Sequence, residues 1–278
     1  MKVSVNHITA PNLNWFELLN LATDIGASGI EFRNDLSAPL FSGEIPEKIA
    51  AAVQEAGLEL YGLSQVYPFN AYTNEVAQKV GELIEVAKRS GAQTISLIPQ
   101  NDGALETNNE RLYNLQFALS EIKPMLEEAG IVALLEPLGF ESSSLRTKEQ
   151  AVSAIDYIGG SSVFKLVHDT FHHHLAQEKK IFPKQTGIVH ISGVSEKGLA
   201  INEMKDEHRE LIDSNDMLGS VMQIKNLVDQ GYSGPFSFEV FSPKVHNTLD
   251  IYEKIKNSLK FILHELGCEQ LVNRKPQA

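Results

Sequence analysis

The stretch EAGIVALLE, residues 128–136, joins the end of a helical pattern to a glycine and a short apolar run. Gly130 stands where a helix C-cap favours a left-handed residue, and the run after it is typical of a buried strand in a parallel sheet. The same unit recurs four times: DIGASGIEF (24–32), EAGLELYGL (55–63), RSGAQTISLI (89–98) and DQGYSGPFSFEV (229–240). One helix-to-strand unit therefore repeats along the chain.

Amphipathic segments with helical spacing lie between these units, for example EVAQKVGELIEVAKRS at 75–90. The pattern predicts eight strands: 2–8, 29–33, 58–64, 94–98, 132–136, 164–169, 188–192 and 235–240. Eight alternating βα units predict an α/β fold, a single (β/α)8 TIM barrel over residues 1–278 with a short polar C-terminal tail. A doubly wound open sheet is the alternative, disfavoured because no strand is followed by a nucleotide-binding glycine loop.

Composition limits the classes of partner. The net charge of −12 repels phosphate backbones, so we expect no nucleic acid. No apolar stretch is long enough to span a bilayer, so we expect no membrane insertion. The single cysteine forms no internal disulfide, and the N-terminus lacks the apolar region of a signal peptide. A cytoplasmic location is expected.

Polar residues stand at the C-terminal ends of five predicted strands, where barrel enzymes place their chemistry. They are Glu31 and Arg33 on the second strand, Glu136 on the fifth, Asp169 on the sixth, His190 on the seventh and Glu239 on the eighth. Four consecutive strands, the fifth to the eighth, thus end in a residue type that binds metal ions.

A carboxylate at the end of an apolar strand is costly to bury unless it has a partner. A shared cation would be such a partner. Three carboxylates and one imidazole make a hard, oxygen-rich ligand set, which suits Mn²⁺, Mg²⁺, Co²⁺ or Zn²⁺. The alternative is a salt-bridge network in which the same groups pair with Lys165, Arg33 or Arg209.

Four of the nine histidines lie in LVHDTFHHHLA, residues 166–176. If Asp169 points into the barrel, strand alternation turns His168 toward the helices, where we expect a structural role. His172 follows Asp169 by three residues, so it can return over the barrel mouth and bond a metal ligand or the substrate. His173 and His174 have no such geometric reason to face the site.

Several segments resemble the xylose isomerase-like TIM-barrel superfamily of sugar isomerases and epimerases. They are LLEP (134–137), HDTFHHH (168–174), VHISGV (189–194), DEHRELID (206–213) and GYSGPFSFEVFSP (231–243). The likeness runs nearly end to end, and its most specific part is Asp169 with His172 between strands that end in Glu, His and Glu. Within the superfamily, the chain most resembles the isomerases of 2-keto-myo-inositol (inosose) in inositol catabolism.

The resemblance implies a divalent metal ion held by Glu136, Asp169, His190 and Glu239. It also implies that Glu136 and Glu239 move the substrate's protons, while His172 donates a hydrogen bond to a substrate oxygen. Such a metal would polarise a carbonyl and its neighbouring hydroxyl, and so stabilise the ene-diolate formed when a carboxylate removes the carbon-bound proton.

The same resemblance implies substrate contacts for Glu31, Arg33 and Arg209. Two departures from the family pattern lie near the substrate: Ile-Ser-Gly after His190, and ELIDSND at 210–216. They concern the choice of substrate, because barrel loops vary while the scaffold stays.

The resemblance therefore predicts an enzyme that isomerises or epimerises a small keto-polyol or ketose, with 2-keto-myo-inositol favoured. It is also compatible with a homo-oligomer. Another sugar epimerase, an inosose dehydratase of the same superfamily and a non-catalytic metal- or sugar-binding barrel remain alternatives. A hydrolase like endonuclease IV is disfavoured, since that chemistry requires several metals and a basic surface. Phe69 and Tyr72, after the third strand, are candidates for an apolar lid.

Overall fold

A computed structural model describes residues 1–104 and 107–267, which form a closed barrel of parallel strands ordered by sequence. The strands are β1 (Lys2–Asn6), β2 (Gly29–Arg33), β3 (Glu59–Val66), β4 (Thr94–Leu97), β5 (Val132–Leu135), β6 (Phe164–Asp169), β7 (Thr186–Ile191) and β8 (Pro235–Phe238). Pairing of β1 with β8 closes the barrel. The predicted (β/α)8 fold is confirmed. Cys268 and the predicted polar tail lie outside the described residues.

Nine α-helices occur in the described part of the chain. They are α1 (Trp15–Asp24), α2 (Pro46–Glu55), α3 (Asn74–Ser90), α4 (Asn108–Ala129), α5 (Lys148–Tyr157), α6 (Thr170–Leu175), α7 (Ser220–Asp229), α8 (Pro243–His246) and α9 (Ile251–Glu265). Gly91 and Gly130 end α3 and α4 in the left-handed conformation, with φ of 74° and 68°. A side chain at either position would strain the turn that leads into the next strand.

One continuous apolar cluster joins the strands to the surrounding helices. It includes Leu18 of α1, Ile49 of α2 and Ile30 and Phe32 of β2, all of them buried. A smaller cluster inside the barrel contains Tyr61, Leu134, Val167 and Ile188. These clusters hold each strand in position, and so fix the direction in which the side chains at its end point. None of the described helices is long and apolar enough to cross a bilayer.

Gly139, in the loop after β5, lets that loop lie against α6. A Cβ at this position would lie 2.2 Å from the carbonyl oxygen of His172 and 2.7 Å from Cβ of Leu175. Helix α6 carries His172, so this close approach helps to set the position of that ring over the barrel mouth.

We therefore expect Gly139→Ala to destabilise the protein by about 1–3 kcal/mol, as overpacking of a close contact does. Gly81→Ala is the matched control, because Gly81 lies in α3 and its added Cβ would meet only the Met125 side chain, at 3.6 Å. That control should be neutral or stabilising, since alanine favours helix. Urea denaturation of both variants measures the difference, and equal stabilities would contradict the argument.

Candidate metal centre

Four potential ligands meet at the C-terminal mouth of the barrel. They are Glu136, just after β5, Asp169, which ends β6, His190 of β7 and Glu239, just after β8. One ligand atom from each lies within 4.8 Å of all the others, and all four residues are buried. The structure thus brings together the residues predicted as ligands, while metal binding by them stays a prediction.

The two ring nitrogens of His190 have different neighbours. Its Nε2 lies 3.2 Å from Oε2 of Glu31 in a buried hydrogen bond. Its Nδ1 lies 3.2 Å from Oε2 of Glu239 and 3.7 Å from Oε1 of Glu136, yet it has no hydrogen-bond partner. A buried imidazole nitrogen that has no hydrogen bond and faces carboxylates is suited to bind a metal ion. The ion would accept the lone pair of the nitrogen.

Two arginines bind the carboxylates from outside the cluster. Nη2 of Arg209 bonds Oδ2 of Asp169 and lies 2.8 Å from Oε2 of Glu239. Nη1 of Arg33 lies 2.9 Å from Oε1 of Glu239, and its other nitrogens bond Asp35. Two of the three cations named in the salt-bridge alternative therefore do pair here. Lys165 instead lines a cavity at the opposite end of the barrel.

Salt bridges and a metal ion are compatible in this site. A carboxylate oxygen has two lone pairs, so an arginine and a metal ion can share one carboxylate. Together with Glu31, the cluster contains four carboxyl groups, and only two arginines bond to it. A divalent ion would add positive charge where acidic groups are in excess. The donor set and its charge therefore fit a divalent metal ion.

The two glutamates have opposite electrostatic environments. Burial raises the pKa of Glu136, and the nearby charge of Glu239 raises it further. Burial acts in the same direction on Glu239, but His190 and the arginines outweigh it and hold its pKa well below the usual value. Glu136 therefore binds a proton more readily than an ordinary glutamate, whereas Glu239 stays ionised.

His172 lies over the cluster, because Asp169 accepts a hydrogen bond from its backbone N–H and starts α6 there. Its Nε2 is 4.0 Å from Oε1 of Glu136. Burial and then the charge of Arg209 lower the pKa of His172 to about 4, so the ring is neutral at pH 7. His168 points to the helix layer, as the alternation predicts, and its Nε2 lies 3.0 Å from Oε1 of Gln223 in α7.

A cavity of about 280 Å³ opens above the cluster. Its lining residues are Arg33, Asp35, Gln65, Tyr67, Ile98, Asn101, Glu136, Leu138, Phe140, His172, Asp206, Arg209, Glu239 and Phe241. Arg33 and Arg209 thus reach the cavity, as a substrate contact would require. Glu31 does not line it, because its carboxylate lies beneath His190. The expected lid is also absent from the lining: Phe69 is fully buried in the main core, and Tyr72 contacts Phe117 of α4.

Three residues that were not predicted from the sequence complete the site. Nδ2 of Asn6, at the end of β1, donates to Oε1 of Glu239 over 3.3 Å. Asp206 accepts a hydrogen bond from Arg209, and the ring of Phe241 lies 4.6 Å from the guanidinium carbon. A polar residue at the end of an apolar strand is the signal that indicates Asn6. No strand periodicity indicates the other two, since Asp206 begins a short 3-10 helix after β7 and Phe241 follows β8, and only the family resemblance covers both segments.

These features define a (β/α)8 barrel with a buried carboxylate and histidine cluster at its C-terminal mouth. The chain belongs to the xylose isomerase-like TIM barrel family, whose sequence model matches residues 19–263. That family includes sugar isomerases and epimerases. A comparison with curated proteins finds no match.

Solved structures agree with this fold. A xylose isomerase domain-containing protein from Salmonella typhimurium LT2 is 29% identical, with a TM-score of 0.87 over 94% of this chain and 97% of the other. An IolI protein with a bound zinc atom is 22% identical, with a TM-score of 0.82 over 96% and 98%. A D-psicose 3-epimerase from Clostridium cellulolyticum H10, solved with D-tagatose, is 15% identical, with a TM-score of 0.73 over 96% and 99%. The last two show the fold alone.

We expect the protein to bind one divalent ion per chain, and Asp169→Asn to weaken binding of Zn²⁺ or Mn²⁺. The loss should exceed the roughly 10- to 100-fold effect of changing a residue that only supports a ligand. Asp35→Asn is the control, because Asp35 also pairs with an arginine at the mouth but lies outside the ligand cluster. Isothermal titration calorimetry measures both, and equal affinities would contradict the ligand assignment.

We expect metal affinity to fall as the pH falls. Burial acts to lower the pKa of His190, but the carboxylates of Glu239 and Glu31 outweigh it and hold the pKa well above the usual value. The pKa of Glu136 is raised as well. Protons therefore compete with the ion, and affinity should weaken by roughly tenfold per pH unit for each proton displaced. Titrations between pH 8 and pH 6 measure this slope, and a flat profile would contradict it.

Proposed function

We propose that this protein is a divalent-metal-dependent isomerase or epimerase of a small keto-polyol or ketose, with 2-keto-myo-inositol as the favoured substrate. The observation that carries the proposal is a buried cluster of potential metal ligands at one cavity, in which the two glutamates, Glu136 and Glu239, have opposite pKa shifts. Two titratable groups whose surroundings push their pKa values apart are suited to separate roles in proton transfer. A non-catalytic barrel does not require that difference.

Glu136 is the group that removes and returns the carbon-bound proton. Its carboxylate faces the cavity and its pKa is raised, which brings its proton affinity toward the working pH. Glu239 is held by Asn6, Arg33 and Arg209, so it stays ionised and fixed in direction. When bound, the divalent ion supplies an electrophile for the substrate carbonyl and its neighbouring hydroxyl.

His172 binds a substrate oxygen without adding a positive charge to the cavity. The ring is neutral at pH 7, and Nε2 is its nitrogen on the side of Glu136. In the tautomer that carries the proton on Nε2, it donates a hydrogen bond to the oxygen next to the reacting carbon. The neighbouring ring of Phe140, with a centroid 5.2 Å away, limits the rotation of His172.

The charges of the cavity favour an uncharged substrate over a sugar phosphate. Among the described residues, Arg33 and Arg209 are the cationic side chains that line it, and each is already paired with carboxylates. Asp35 and Asp206 add negative charge at the mouth. A phosphate group would therefore meet no free cation, whereas amides such as Gln65 can bond the hydroxyls of a polyol.

Fold neighbours support this class of chemistry and leave a second candidate within it. One is an L-ribulose 3-epimerase, 19% identical, and another is a probable 3-DHS dehydratase, 16% identical. A dehydratase also begins with removal of a proton next to a carbonyl, but it then expels a hydroxyl. The dehydratase is thus the second candidate, and product analysis separates the two.

We expect metal-loaded protein in deuterated water to convert 2-keto-myo-inositol to an isomer that carries deuterium next to the carbonyl. Glu136→Gln and Glu239→Gln should each slow turnover by about 10²- to 10⁴-fold, the usual contribution of general acid–base catalysis. Glu141→Gln is the control, because Glu141 is an exposed carboxylate after β5 that does not line this cavity. NMR identifies the product and the labelled carbon.

Three other outcomes would change the proposal. A dehydrated product would assign the second candidate. Exchange with a ketose but not with inosose would keep the reaction and change the substrate. Stoichiometric metal binding without exchange or product for any uncharged ketose or keto-polyol would leave a non-catalytic barrel.

A further inference from the structure

One layer of the barrel interior, directly below the candidate metal centre, is unusually polar. Side chains two residues apart on a strand share a face, so the layer comprises the residues that precede the mouth residues by two. They are Ser4, Glu31, Gly62, Ser96, Leu134, Val167, Ile188 and Ser237. Bulky branched residues usually fill such a layer. Here three strands follow that rule, and the other five carry serine, glycine or a glutamate.

Glu31 is the only charged member of this layer. It is 1% exposed, so its carboxylate has been removed from water almost completely. The neighbouring strand β3 leaves room for this carboxylate, because it has a glycine opposite Glu31. A Cβ on Gly62 would lie 3.5 Å from Oε2 of Glu31 and 2.8 Å from Oγ1 of Thr94. A charge buried at this depth destabilises the fold unless it has a partner.

The partner of Glu31 is His190. Oε2 of Glu31 lies 3.2 Å from Nε2 of His190, and Oε1 has no hydrogen-bond partner. When a metal ion displaces the proton on Nδ1, this contact keeps the other proton of His190 on Nε2, and Nδ1 is the nitrogen that faces Glu136 and Glu239. In histidine ligands, a carboxylate on the second nitrogen fixes the tautomer and the direction of the ring, and it makes the ligand nitrogen more basic.

We propose that Glu31 is a positioning residue for the metal centre, which sets the affinity for the ion through His190 and does not contact substrate. This inference rests on the proposed metal-dependent function. It differs from the role in substrate binding that the family resemblance implies, because the ring of His190 and the cluster above it separate Glu31 from the cavity. The serine and glycine residues of the interior layer are small, so they leave room for this carboxylate inside the barrel.

The test compares Zn²⁺ binding by Glu31→Ala, Glu31→Gln and Ser237→Ala. Glu31→Ala should raise the Kd for Zn²⁺ about 10- to 100-fold. Glu31→Gln keeps an acceptor oxygen without the charge, so its Kd should lie between those of wild type and Glu31→Ala. Ser237→Ala is the matched control, because Ser237 lies in the same layer and its hydroxyl has no hydrogen-bond partner. Its Kd should equal that of wild type.

A spectroscopic readout distinguishes positioning from loss of fold. In zinc-loaded wild type, the Nε2 proton of His190 should resonate far downfield, because it is bonded to a carboxylate. The signal should move upfield in Glu31→Gln and exchange with water in Glu31→Ala. If Glu31→Ala does not fold, the Kd and proton shift of Glu31→Gln decide the question.

Each result has one interpretation. Unchanged Kd and proton shift in the Glu31 variants would overturn the positioning role and leave the proposed function intact. An equal loss in Ser237→Ala would also overturn it, since any change in the layer would then weaken binding. A wild-type protein that binds none of Zn²⁺, Mn²⁺, Co²⁺ and Mg²⁺ would overturn the proposed function itself, and one that binds another of these ions instead of Zn²⁺ is tested with that ion.

Discussion

The guanidinium of Arg209 joins carboxylates from two different strands, and the arrangement of the barrel mouth depends on this contact. It bonds both Asp169 and Glu239, is 1% exposed, and lies against the rings of Phe171 and Phe241. Without it, two buried carboxylates would repel each other in a medium of low dielectric constant. With it, the oxygens that would face a metal ion are already held in position, so binding of an ion would require little reorganisation of the site.

Residues on strands could be predicted from the sequence because alternation along a strand determines the direction of each side chain. Glu136, Asp169, His190 and Glu239 each end or follow an apolar strand, and the C-terminal ends of all strands meet at one mouth. The same reasoning separates His168, which faces the helices, from its neighbour Asp169. The fold and the ligand cluster follow from local patterns of this kind.

The walls of the cavity could not be predicted, because loops have no comparable periodicity. Tyr67 lines the cavity, whereas Phe69, two residues later, is buried in the main core. Both are aromatic residues after the same strand, and only tertiary packing distinguishes them. The pairing of arginines with metal ligands was a similar case. The sequence presents salt bridges and metal binding as alternatives, but the carboxylates have enough acceptor sites for both.

This division between strands and loops bears on how one scaffold can act on different substrates. The groups that would hold a metal ion or move a proton lie at strand ends, where the closed sheet fixes them. Asp35, Asn101 and Phe140 come from loops after three different strands, and they line the cavity together with Gln65 near the end of β3. We expect a change in any one loop to alter which substrates fit, yet to leave the opposed pKa shifts of Glu136 and Glu239 in place, because those arise from burial and from partners on or beside the strands. The reaction class can therefore be argued from the barrel, and the substrate must be argued from its loops.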